Sequence, residues 1–130
     1  MSAPDSSRVT APVVDRLLDA INGHDLEQLT ACFAPAFSMV WPAHPARSFT
    51  GPDGVRRTWE GIFQAYPDIH AEMITSTERG QEIWGEWEFK GNGGDGGAPF
   101  WQRGVIIVVV DRDVVVESRF YMEPVEAPND

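Results

Sequence analysis

Val13, Val14, Leu17, Leu18 and Ile21 recur at helical spacing, so the stretch after Pro12 predicts a helix with one apolar face. Thr10 suits its N-cap, and Pro12 suits a first turn, where a missing N–H costs nothing. Asn22-Gly23 predicts the stop, since both residues tolerate positive φ. Asp25 then suits the cap of a second helix reaching about Phe33, its stripe made by Leu26, Leu29 and Phe33. The two helices meet at a sharp corner. Pro35 marks the stop, and Phe37 to Trp41 predicts a short strand ended by Pro42. Pro42 to Ser48 reads as an irregular loop. Gly51-Pro52-Asp53-Gly54 predicts the opening of a third helix with Asp53 as cap. Val55, Trp59, Ile62, Phe63 and Tyr66 form its apolar face, and Pro67 ends it.

Beyond Pro67 the pattern is β. Ile69 to Thr77, Glu82 to Lys90, Pro99 to Val110 and Val114 to Glu123 predict four strands. Gly91 to Gly97 reads as a flexible hairpin loop, and Asp111-Arg112-Asp113 as a tight turn between two β-prone runs. Residues 1–9 read as disordered and 126–130 as a frayed tail, leaving a single domain over 10–125. Helices first and an antiparallel meander after them predict an α+β fold.

Composition narrows the possible partners. At 130 residues the chain can bury a real core. A net charge of −10 repels phosphate backbones and anionic membrane surfaces, which argues against nucleic-acid and membrane partners. The single lysine, Lys90, lies beside the Gly-rich loop and is a poor Schiff-base candidate. The single cysteine, Cys32, permits no internal disulfide and reads as a buried thiol. The first residues lack an apolar signal core, and the longest apolar run, Val105 to Val110, suits a buried strand rather than a membrane span. A cytoplasmic location is therefore expected. His24, His44 and His70 have no ligand spacing, so neither a metal nor another cofactor is expected.

Several local patterns fall in the order of a known family. They are Ala20-Ile21-Asn22-Gly23-His24-Asp25-Leu26 at the corner, Phe33-Ala34-Pro35, Gly51-Pro52-Asp53-Gly54-Val55, and Tyr66-Pro67-Asp68. Gly80 and Arg119-Phe120-Tyr121-Met122-Glu123-Pro124 complete the set. In these the chain resembles the SnoaL-like proteins of the nuclear-transport-factor-2-like superfamily, which includes ketosteroid isomerase, limonene epoxide hydrolase and polyketide cyclases. The resemblance implies a cone-shaped α+β barrel, with three N-terminal helices packed on a curved, mostly antiparallel sheet around an apolar pocket. It also implies an apolar small-molecule ligand and a homodimer. The isomerase positions for proton abstraction and oxyanion binding fall at Trp41, Leu17 and near Ile106, which cannot fill those roles. The hydrolase positions fall at Met39, Trp41, Glu86, Glu88 and Phe120, and Glu86 replaces the arginine that chemistry needs. The acid that cyclases carry near the end of the last strand has Glu123 as its nearest counterpart.

Four residues are the candidate acids and bases: Glu86, Glu88, His44 and Glu123. Glu86 and Glu88 alternate with Trp87 and Phe89 and share one strand face. Facing a pocket, two such acids would split their pKa values and form an acid/base pair. Facing water, they would leave Ile83, Trp87 and Phe89 to pack inward; strand alternation alone leaves both readings open. His44 belongs to the loop expected to edge the pocket, as a general base or a solvated histidine. Met39, Trp41, Trp59, Phe63, Phe120 and Tyr121 are candidate ligand contacts, suited to a flat or polycyclic molecule. Arg103 is a candidate oxyanion partner or the ion-pair partner of an acid such as Glu86. Two functions fit: a cofactor-free cyclase or isomerase acting on an apolar polyketide-like metabolite, or a non-catalytic ligand-binding or dimeric accessory protein.

Overall fold

In a computed structural model, which describes residues 10–93 and 98–126, three helices lie against one face of a six-stranded sheet. The helices are α1 (Pro12–Asn22), α2 (Leu26–Ala31) and α3 (Pro52–Ala65). The strands are β1 (Phe33–Val40), β2 (Phe49–Thr50), β3 (His70–Arg79), β4 (Glu82–Gly91), β5 (Phe100–Asp111) and β6 (Val114–Pro124). The sheet order is β2-β1-β6-β5-β4-β3, antiparallel except for the parallel pair β1 and β6. The α+β class read from the sequence is the one observed, and the sheet stays open, with β2 and β3 as its edges. The expected disordered start at 1–9, the hairpin-loop tip at 94–97 and the tail at 127–130 lie outside the described residues.

The corner is built differently from its sequence reading. Gly23 has φ −85°, within the ordinary right-handed region, and the positive φ of 53° belongs to His24. His24 accepts that conformation because its side chain is held from two sides. Its Nε2–H donates to the Ile69 carbonyl at 3.0 Å, and its ring stacks on Phe63 at 4.7 Å. Asn22 reaches further: Nδ2 donates to Ala71 O at 3.0 Å and Oδ1 accepts from Ala71 N at 2.7 Å. The side chain thus pairs with edge strand β3 much as another strand would. Asp25 caps α2 as predicted, accepting from Gln28 N at 3.0 Å. Ala11 rather than Thr10 occupies the α1 cap, with no side-chain bond.

Two boundaries move. The second helix ends at Ala31, and Phe33 opens β1 instead of closing the helix. Pro35 falls where the β1–β6 register shifts between Phe33 and Ser38, a site that needs no ladder N–H. Gly51, at φ 87°, caps α3 with Pro52 next, and Asp53 is only an exposed acid in the first turn. The two-residue β2 was not anticipated. It sets Phe49 against α3 at Gly54, where any Cβ would collide with the Phe49 ring.

The core lies between the helices and the inner sheet face. Val13, Val14, Leu17 and Ile21 of α1 meet Phe37, Trp87, Phe89, Ile106 and Met122 there. Cys32 is buried among them, and that burial pushes its thiol pKa up. No described helix is long and apolar enough to cross a membrane.

Candidate functional site

The inner sheet face and the helices enclose a cavity of about 340 Å³. Part of its wall is made by Leu17 and Ile21 of α1, Phe33 of β1 and Val108 of β5, all buried. Buried Met39, Val55, Trp59, Trp87, Phe89 and Ile106 form its middle. Toward the mouth the lining becomes half-buried: Trp41, Phe49, Ile62, Phe100, Gln102 and Phe120. The aromatic rings brace one another. Trp41 leans on Phe120 at 5.0 Å, and Trp59 meets Phe89 edge-on at 5.4 Å. Among the described residues the only polar lining groups are Arg47, Thr58, Gln102 and Ser118. Thr58 spends its hydroxyl proton on Gly54 O at 2.8 Å.

Strand parity decides between the two readings of the glutamates. Trp87 and Phe89 line the cavity, so Glu86 and Glu88 project from the opposite sheet face. There Arg103 Nε donates to Glu86 at 2.9 Å and Nη1 lies 3.8 Å from Glu88, which also accepts from Trp101 Nε1 at 2.9 Å. Lys90 stands 3.9 Å from Glu88 and over the Trp101 ring. The register Glu86↔Val105 and Glu88↔Arg103 places this network on β4 and β5. A pocket-facing acid pair and a pocket-facing Arg103 are therefore corrected to an outer-face ion-pair network. Tyr121 is also on that face, 40% exposed, its hydroxyl accepting from Arg119. Phe63 sits behind the cavity wall, stacked on His24 and tilted against Trp59. Met39, Trp41, Trp59 and Phe120 line the cavity.

The other two candidates are brought together. His44 Nε2 lies 2.8 Å from Glu123 Oε1, joining the β1–β2 loop to the end of β6. The His44 ring stands edge-on to Trp41 at 6.2 Å, and Trp41 is itself a cavity wall. The pair thus marks the rim, with the histidine side chain 34% exposed.

Arg47, Gln102 and Ser118 were not foreseen as site residues. Ser118 and Gln102 were accessible to parity counting, since they alternate with the outward residues of β6 and β5. Arg47 follows from no periodicity. A 3-10 turn, Pro45–Arg47, brings its guanidinium carbon to 5.1 Å over the Trp41 ring.

A six-stranded sheet and three helices close on an aromatic-walled, nearly uncharged cavity, an α+β cone with an apolar pocket. The sequence profile of the SnoaL-like domain matches residues 14–118, and the chain belongs to that family. Its architecture is similar to a protein from Catenulispora acidiphila with a ketosteroid isomerase-like fold, solved in complex with trimethylamine. They are 17% identical over 87% of each chain, with a TM-score of 0.73. IdmH from Streptomyces antibioticus, described as a candidate polyketide cyclase, is 19% identical over 85% of this chain and 89% of its own, with a TM-score of 0.71. An NTF2-like protein of unknown function from Exiguobacterium sp. 255-15 is 22% identical over 82% of this chain and 94% of its own, with a TM-score of 0.67. At such identities the likeness is one of fold. No curated protein matches the sequence.

Proposed function

We propose that the protein binds a small, largely apolar, polyketide-like molecule and performs cofactor-free acid/base chemistry on it, a cyclisation or isomerisation. The observation that carries this reading is the His44–Glu123 pair, 2.8 Å apart, whose histidine ring stands against Trp41, a wall of the apolar cavity. With Nε2–H donated to the carboxylate, the imidazole keeps Nδ1 free as a base in a fixed tautomer. Nδ1 would take a proton from a carbon beside a carbonyl and return it at another carbon. The Glu123 carboxylate stabilises the imidazolium formed between the two transfers.

The test is proton exchange into a panel of polycyclic ketones in deuterated water, followed by NMR, with binding read separately by tryptophan fluorescence. His44→Ala is expected to lower exchange about 100-fold while ligand affinity stays within about threefold, or less than one kcal/mol. Undiminished exchange in that variant removes the dyad from the chemistry. Silence across the panel removes the pocket reading as well. One observation favours the non-catalytic alternative: no acid or histidine lines the cavity among the described residues. Binding with no exchange in the parent protein selects it.

A cytoplasmic homodimer is part of the same proposal. The outer sheet face exposes Trp84 (39%) and Tyr121 (40%), with Val105 half-buried on the same face, an apolar area beside the charged network. Sedimentation analysis is expected to give a dimer that Trp84→Glu weakens; an unchanged monomeric species in the parent rejects it.

A further inference from the structure

Arg47 stands out among the charged groups. Arg16 pairs with Asp113, Arg56 with Glu27 and Arg103 with Glu86, while Arg57, Arg79, Arg112 and Arg119 pair with no described carboxylate but do not line the cavity. Arg47 lines the cavity and stacks on Trp41, and no described carboxylate pairs with it. The acid on the same rim, Glu123, is already engaged by His44. A guanidinium with no described acid beside it, at the wall of an apolar cavity, is open to an anionic partner. Its guanidinium carbon lies 5.1 Å over the Trp41 ring, a cation–π contact that holds the group at the wall while its N–H donors stay available. The planar fork of those donors matches a carboxylate, which accepts two parallel bonds.

A second polar group lies deeper. Ser118 is 2% exposed, the one buried polar residue of the described core. It sits beside Met39 on β1 and Val108 on β5, and it lines the cavity. No described group bonds its hydroxyl, yet it is not among atoms sealed away without a partner, so it opens on the cavity space. A hydroxyl in apolar surroundings is costly to leave unpaired. The ligand is the group placed to meet it.

We propose that the ligand is an amphiphilic monoanion: an apolar, aromatic body with a carboxylate held at the mouth by Arg47 and a hydroxyl or carbonyl oxygen bonded by Ser118. This rests on the reading above that the cavity takes a small molecule, and it adds the ligand's charge and the place of its oxygens. Gln102, also at the mouth, offers an amide N–H₂ to the same carboxylate.

Three probes separate the terms: a hydroxynaphthoic acid, its methyl ester, and the naphthoic acid lacking the hydroxyl. Titration calorimetry is expected to show the hydroxy acid binding about tenfold tighter than the ester, the measure of one charge-assisted contact. Arg47→Met is expected to erase that difference and leave the ester within about twofold. Because Arg47 is an exposed side chain, the variant is not expected to unfold, which circular dichroism checks. Ser118→Ala is expected to weaken the hydroxy acid about fivefold and to spare the acid without the hydroxyl. Equal binding of acid and ester in the parent overturns the anionic ligand while the pocket stands. An acid preference that survives Arg47→Met overturns the role of Arg47. Failure of all three probes to bind, at any concentration they reach in solution, overturns this inference together with the pocket reading.

Discussion

Trp87→Ala is expected to destabilise the protein by about 3–5 kcal/mol, the range for truncating a large buried aromatic. Trp87 is 2% exposed, forms part of the cavity wall and packs edge-on to Phe89 at 6.0 Å. Its indole also covers Gly85, two residues back on the same face, where a Cβ would lie 2.9 Å from Nε1. On its cavity side the indole faces open space, so that side offers no packed atoms to fill the gap. The lost contacts therefore stay lost and the cavity grows. At roughly 3 °C per kcal/mol for a chain of this size, the midpoint should fall by about 10–15 °C. Glu86→Ala, one residue away, is expected to cost no more than about 1 kcal/mol, since its pairing with Arg103 is half exposed and screened. Urea unfolding followed by far-ultraviolet dichroism reads both variants. Similar losses in the two would mean that the assigned faces of β4 are wrong.

That contrast marks where sequence reasoning stopped. Element order was legible because each helix carried a clear stripe and a Pro, Gly or Asp boundary. The boundary between α2 and β1 was not, because Phe33 satisfies both periods: it follows Leu29 by four and precedes Phe37 in the strand. Two-residue β2 has no periodicity to detect. The faces of β4 were ambiguous because both sides of the sheet carry apolar residues. Trp87 and Phe89 pack inward, while Trp84, with Val105 and Ile107 on β5, lies outward. Only the register with β5 joins Glu86 and Glu88 to Arg103 and removes them from the cavity. Arg47 was out of reach for a different reason. The loop closes on itself through His44 N to Trp41 O at 3.0 Å and Trp41 N to Ser48 Oγ at 3.0 Å. That closure turns a solvent-type arginine back over an aromatic wall. The contact depends on the fold of eight residues, not on any pair in the pattern.

Asn22→Leu is expected to cost about 2–4 kcal/mol, because it removes two hydrogen bonds and strands the Ala71 amide and carbonyl they served. Ala71 is 1% exposed, and leucine has the same branching as asparagine at a position open to solvent, so the loss is one of pairing rather than of space. Asn22→Asp should fall between parent and Asn22→Leu. It keeps the acceptor toward Ala71 N but sets a charge against Ala71 O. His24→Ala should lose about 1 kcal/mol, for one bond to Ile69 O. The corner's resemblance to its family thus has a physical basis. Asn22 and His24 sew the end of α1 to the open edge of β3, where the sheet has no further strand. Since α1 supplies Leu17 and Ile21 to the cavity wall, the same stitches help to fix that wall. Hydrogen exchange at the Ala71 amide reports the stitch directly, and it should accelerate in Asn22→Leu by far more than amides of β5. Unchanged protection at Ala71 would show that β3 holds that edge without the corner.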